Sequence, residues 1–164
     1  MFSSGFAQEL SVVALVGTTL CLTATLTLIT VIDLRTFRIP DALSLPLIVA
    51  GLSLAVAVSL AVPDAQINWA DYFIGSIAAF GLFAGIGEGY FRLRGIDGLG
   101  LGDAKLFAAA GAWLGWQNLP VVLLIATIGG LFQALAMRQS GRGNRLAFGP
   151  WISCGFLAVW LLTL

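Results

Sequence analysis

Five stretches of this chain carry no charged side chain: Leu10–Ile32, Ala42–Val62, Tyr72–Gly87, Leu106–Met137 and Leu146–Leu164. A helix needs about 20 apolar residues to cross a bilayer, range about 17–25. The stretches are too long for barrel strands, and they do not alternate polar with apolar residues. Only 10% of the residues are charged and 59% are hydrophobic, whereas about a quarter of a soluble domain is charged. These features predict an all-α, polytopic membrane protein with a single integral-membrane domain over residues 1–164. The lipid bilayer is its first partner.

Four stretches fit one helix each, Tyr72–Gly87 being slightly short. Leu106–Met137 is too long for one span. It contains Gly115-Trp-Gln-Asn-Leu-Pro120, a turn-like cluster ending in a helix breaker. Dividing it there gives six transmembrane helices, with a short fourth at about Leu106–Trp116. Charge placement supports the division. Arg35 and Arg38 fall between helices one and two; Arg92, Arg94 and Lys105 between three and four; Arg138, Arg142 and Arg145 between five and six. Basic loops stay cytoplasmic. Six spans put all three groups on that side and both termini outside. Trp69, Tyr72, Trp113, Trp116 and Trp160 then form an aromatic belt at the outer interface. The first ten residues contain no Lys or Arg, so the first stretch reads as a retained span and not a cleaved signal.

Several chemistries are excluded. The chain has no histidine, which removes His-containing triads and HExxH metalloprotease sites. Cys21 and Cys154 lie within hydrophobic stretches and form no CxxC pair. No metal site or disulfide framework is expected of them, and buried packing is their expected role. Net charge is zero, without a nucleic-acid signature.

Two carboxylates stand at membrane boundaries on the predicted cytoplasmic side. Asp33 follows Val31-Ile32 and opens Asp33-Leu-Arg-Thr-Phe-Arg-Ile-Pro-Asp41. Position alone leaves two readings: a solvated helix end paired with Arg35 or Arg38, or a functional acid. Asp103 ends Gly98-Leu-Gly-Leu-Gly-Asp103 and precedes Ala104-Lys105. Gly98, Gly100 and Gly102 alternate before it and leave two readings, a flexible loop or a backbone that approaches a substrate peptide closely or takes unusual dihedrals. Two carboxylates sharing one proton can perform aspartic-protease chemistry. Pro40 suits the first turn of helix two, and Asp41 suits a helix N-terminus. Lys105 can snorkel, meet lipid phosphate or tune Asp103, with snorkelling expected. Gly81, Gly85 and Gly89 recur every four residues in helix three and predict an internal packing face. Glu88 reads as a solvated helix end, and Arg138, Arg142 and Arg145 as a topology signal.

The Asp33–Asp41 and Gly98–Leu106 motifs, in this order and with matching spans between them, resemble those of the type IV prepilin peptidases. These are membrane aspartic proteases of the GxGD class. Phe148-Gly149-Pro150 is similar to that family's closing motif. The resemblance covers about Thr30 to Pro150. It implies catalytic roles for Asp33 and Asp103, with Arg38, Pro40, Gly100, Gly102 and Lys105 as motif residues supporting them. It implies removal of short basic leaders from prepilins or pseudopilins at the cytoplasmic face of the bacterial inner membrane, without metal or cofactor. Larger family members carry an additional N-terminal region with paired CxxC motifs and methylate the new N-terminus. Nothing here corresponds to that region, so the chain looks like the short, peptidase-only form that serves tight-adherence (Flp) pili. Asp97 matches an acidic position found in many relatives. Asp41, Glu88 and Asp97 are candidates to meet the basic leader. Oligomeric state is not legible. Two other classes compete: a small ion or proton transporter using edge carboxylates, and a noncatalytic component of a secretion assembly.

Overall fold

The computed structural model describes residues 2–61, 68–95, 100–139 and 146–164. Among these residues the chain is all-helical, with six α-helices: α1 (Phe2–Thr36), α2 (Asp41–Ala61), α3 (Trp69–Arg94), α4 (Leu101–Leu114), α5 (Leu119–Gln139) and α6 (Gly149–Leu162). Four segments are long and apolar enough to cross a membrane: Val12–Thr36, Asp41–Ala61, Trp69–Leu93 and Trp116–Arg138. Helices α4 and α6 have 14 residues each.

Local chemistry sets the breaks. Phe37 takes a left-handed conformation, φ 53°, and its N–H reaches the Asp33 carbonyl at 2.8 Å. That conformation ends α1. Pro40 then precedes α2 by one residue instead of entering it, and its carbonyl accepts from Leu43 and Ser44. Asn68 caps α3 through its side chain, and Gly95, φ 66°, closes it. The Leu106–Met137 stretch divides where its composition predicts. Gly115, φ 74°, stops α4; a short 3-10 turn follows at Trp116–Asn118, and Pro120 lies in the first turn of α5. Helix α4 begins at Leu101, earlier than its uncharged stretch, because Asp103 and Lys105 sit in its first turns. Helix α3 likewise runs past Glu88 to Arg94, so Glu88 is not its end. Exposed Glu88 instead pairs with Arg92 at 2.7 Å.

The short helix α4 forms the centre. It packs against α2, α3 and α6, and every residue from Leu106 to Leu114 is buried. Its run of alanines, with Gly111, allows neighbours to approach on all sides. At the α3–α4 crossing Gly111 faces Gly75 backbone to backbone; a methyl group at Gly75 would lie 2.8 Å from the Trp116 nitrogen. Phe83 and Phe107 stack at 4.3 Å between ring centroids. Trp113 fits over Gly51 and donates Nε1–H to the Leu47 carbonyl at 2.8 Å.

Three expectations need correction. Trp113 and Trp160 are core residues, packed edge to face at 5.4 Å, and do not join an aromatic belt; Trp69 and Trp116 are exposed. Gly81, Gly85 and Gly89 meet nothing within 4 Å. Their stripe faces outward, and Gly75 makes the close internal contact instead. Cys21 and Cys154 are exposed, not buried.

Contacts define two ends of the bundle. Trp116 Nε1 and Gln117 Nε2 donate to the two oxygens of Asp71, at 3.1 and 3.0 Å. This joins the start of α3 to the α4–α5 turn. At the other end the α1–α2 link, the start of α4 and the start of α6 converge, and both sequence motifs meet there. Asp97, Gly98, Arg142 and Arg145 lie outside the described residues, as does the side chain of Arg94.

Candidate active site

Asp33 occupies the last turn of α1 and is only 4% exposed. Its partner is neither Arg35 nor Arg38, so the solvated-end reading fails. Oδ2 accepts the backbone N–H of Gly149 at 3.1 Å, across 116 residues of sequence. Gly149 opens α6, with Pro150 in the first helical turn. Proline suits that place because its missing N–H is not needed there. The helix therefore presents an unpaired amide and its positive dipole end to a buried carboxylate. The contact demands glycine: a methyl group at 149 would lie 2.6 Å from Asp33 Oδ2.

Asp103 is partly buried in the first turn of α4 and lies within Coulombic range of Asp33. The structure thus brings together two carboxylates that are far apart in the sequence. Gly100 precedes α4 with ordinary extended dihedrals, φ −74° and ψ 141°, so unusual backbone angles are not its contribution. Its carbonyl accepts the Asp103 N–H at 3.0 Å. Gly102 matters for space. A methyl there would come 3.0 Å from Ile39 Cβ and 3.4 Å from the Ile39 nitrogen.

Lys105 does not snorkel. Its Nζ meets Asp41 Oδ1 at 2.6 Å, and its side chain is 24% exposed. The pair ties the first turns of α4 to the first turn of α2, beside Asp103. Asp41 and Glu88 therefore already hold cationic partners within the chain. Arg38 is exposed, and its carbonyl accepts from Thr36 Oγ1 at 3.1 Å. Pro40 directs the chain into α2.

The sequence does not single out Ile39, and it marks Gly149 only as part of the closing motif, without a role. Ile39 is buried and touches the space above both Gly102 and Gly149. Isoleucine carries no chemical signal; its place within the Asp33–Asp41 motif, directly before Pro40, is the one cue the sequence offers. Phe148, which packs over Gly130, completes the entry to α6. The Asp33–Asp41 segment thus touches both of the others, through Ile39 against Gly102 and through Asp33 and Ile39 against Gly149.

Two carboxylates near enough for one to feel the other's charge, with Asp33 buried, are a kind of pair that acid–base hydrolysis can use.

Comparison with known proteins agrees with the geometry. The type IV leader peptidase family model, Peptidase_A24, matches residues 20–135. The chain is 40% identical over 129 residues to a prepilin leader peptidase/N-methyltransferase of Escherichia coli, covering 77% of this chain and 55% of that protein. It is 41% identical over 138 residues to one of Burkholderia pseudomallei, covering 82% and 42%. Against one of Aeromonas hydrophila it is 35% identical over 144 residues, covering 85% and 48%. The chain spans about half the length of these curated relatives. No solved structure matches it. From the family match and these relatives, the chain belongs to the type IV leader peptidase family.

Proposed function

We propose that this chain is a prepilin leader peptidase, an aspartic endopeptidase of the bacterial inner membrane. It hydrolyses the bond between a short basic leader and the hydrophobic helix of a prepilin or pseudopilin. The observation that carries this reading is that Ile39 lies against both Gly102, next to Asp103, and Gly149, whose N–H holds Asp33, so both carboxylates stand at one end of a bundle whose family is that of leader peptidases.

In this mechanism one carboxylate is ionised and takes a proton from water as the water oxygen attacks the scissile carbonyl carbon. The other carboxyl is protonated and donates a hydrogen bond to the carbonyl oxygen. The tetrahedral intermediate collapses, the C–N bond breaks, and the leaving amine takes the proton that the first carboxylate accepted from water. Two nearby carboxyls titrate as a pair, which favours the singly protonated state this chemistry needs. Gly149 occupies one oxygen of Asp33 and orients the carboxylate.

The same reading makes α4 and α6 the fourth and sixth of six membrane-spanning helices. The end of the bundle bearing Arg35, Arg38, Arg92, Lys105 and Arg138 is cytoplasmic, and both termini lie outside. Gly100, Gly102, Lys105, Arg38 and Pro40 support the site by holding the motif segments in place.

The test is co-expression with a prepilin encoded near the gene, followed by mass spectrometry of the prepilin N-terminus. Wild type, Asp33→Asn and Asp103→Asn are compared at matched membrane levels in a host lacking its own prepilin peptidase. Leader removal by wild type alone is expected. Near-normal processing by either variant would remove the two-aspartate mechanism.

A further inference from the structure

We infer that Ile39 is a positioning residue that sets the spacing between Asp33 and Asp103. The inference deepens the leader-peptidase reading and takes its activity assay from it.

Ile39 is 8% exposed and lies between two backbones. A methyl group at Gly102 would come 3.0 Å from Ile39 Cβ, and one at Gly149 would come 3.1 Å from Ile39 Cδ1. Each glycine is attached to one of the carboxylates. Gly102 immediately precedes Asp103 in α4, and the Gly149 N–H holds Asp33. One apolar side chain therefore rests on both supports of the pair. The absence of side chains at 102 and 149 makes the room that Ile39 fills.

The segment carrying Ile39 suits a spacer. Phe37, φ 53°, ends α1 with its N–H on the Asp33 carbonyl. Thr36 Oγ1 bonds to the Arg38 carbonyl at 3.1 Å. Pro40 confines the residue before it to extended conformations. Isoleucine itself is branched at Cβ and stiff about χ1. A stiff side chain on a braced backbone transmits position, where a flexible one would absorb it. It also keeps the space between the two glycine backbones apolar.

The experiment uses the purified full-length chain as wild type, Ile39→Leu, Ile39→Val and Ile39→Ala, with a prepilin encoded near its gene as substrate. Ile39→Ala is expected to lower kcat by about 100-fold with KM near its original value, since misplacement by about 1 Å can cost that much. Leu and Val should restore most of the rate. A second arm needs no activity. Asp33→Cys and Asp103→Cys are combined with Cys21→Ser and Cys154→Ser, and thiol cross-linkers of graded span are applied with Ile39 intact and again with Ile39→Ala added. The span that joins the two cysteines best should change when Ile39 is truncated. An unaltered kcat in Ile39→Ala, or the same best span in both backgrounds, would overturn the spacer role. If wild type cleaves no prepilin while the best span shifts, the leader-peptidase reading fails and the spacing role stands.

Discussion

Lys105 and Asp41 form an ion pair, Nζ to Oδ1 at 2.6 Å, that joins α4 to α2 just beyond Asp103. Asp41 is the more exposed partner, so the pair adds little to stability; exposed pairs are worth about 0–1 kcal/mol. Its consequence is positional, because it fixes the first turns of α4 against the helix that follows Ile39.

Lys105→Met and Asp41→Asn are therefore each expected to slow leader removal by about tenfold, equivalent to about 1.4 kcal/mol in the barrier. The double variant should be no slower than either single one, because both remove the same contact. The charge exchange Lys105→Asp with Asp41→Lys should recover part of the rate. Processing rates in membranes at matched protein levels provide the check. Multiplying defects in the double variant would mean that the two residues act separately.

Gly149→Ala tests the contact between α6 and Asp33. The added methyl would stand 2.6 Å from Asp33 Oδ2 and 3.1 Å from Ile39 Cδ1. The carboxylate must move, and activity should fall by about 100-fold or more while the protein still inserts. Gly100→Ala is the control. There the methyl meets Asp103 Oδ2 at 3.5 Å, an ordinary contact, and the loss should be several-fold at most. Equal losses at the two positions would show that steric displacement of Asp33 is not the cause.

Much of this fold is legible from charge and length. The six helices follow from the uncharged stretches, and the division at Gly115 follows from its turn residues. Asp33 and Asp103 stand out because isolated carboxylates at membrane boundaries are costly. What escaped the sequence depends on register between helices. Small residues spaced four apart identify a smooth helix face but not which way it points; Gly75 and Gly111 meet, whereas Gly81, Gly85 and Gly89 face outward. Tryptophan serves both cores and interfaces, so Trp113 and Trp160 read as belt residues until the α4–α6 packing is known. Cys21 and Cys154 likewise lie on outward faces of apolar helices, where burial within a hydrophobic stretch does not imply burial within the protein. Lys105 could reach several partners, and only the fold selects Asp41.

Asp71 gathers Trp116 Nε1 and Gln117 Nε2 at the end of the bundle opposite the carboxylate pair. Asp71→Ala removes both hydrogen bonds and frees the turn between α4 and α5. Hydrogen bonds to a charged group are worth about 1.5–3 kcal/mol each when sheltered, and partial exposure of this one reduces that figure. A loss of about 1 kcal/mol is expected, read as a lower thermal transition in detergent. Leader removal at moderate temperature should stay near normal, because the site end has its own ties through Gly149 and Lys105. Loss of activity without loss of stability would reveal coupling between the two ends.

The outward glycine stripe gives the last contrast. Gly81→Ala and Gly85→Ala place methyl groups where nothing lies within 4 Å, and alanine favours helix over glycine by about 1 kcal/mol. Both variants should match or exceed wild-type thermal stability. Gly75→Ala places its methyl 2.8 Å from the Trp116 nitrogen and 3.0 Å from the Gly111 carbonyl oxygen. These are backbone atoms and cannot rotate away. Relief requires α3 and α4 to separate, which also loosens the Phe83–Phe107 stack. Overpacking of this kind typically costs about 1–3 kcal/mol, so Gly75→Ala should lower the thermal transition clearly. Because α4 carries Asp103, its displacement should also slow leader removal. A destabilised Gly81→Ala or Gly85→Ala would instead mean that the stripe is covered in the membrane, and cross-linking between copies carrying Gly81→Cys would then distinguish a second copy of this chain from lipid.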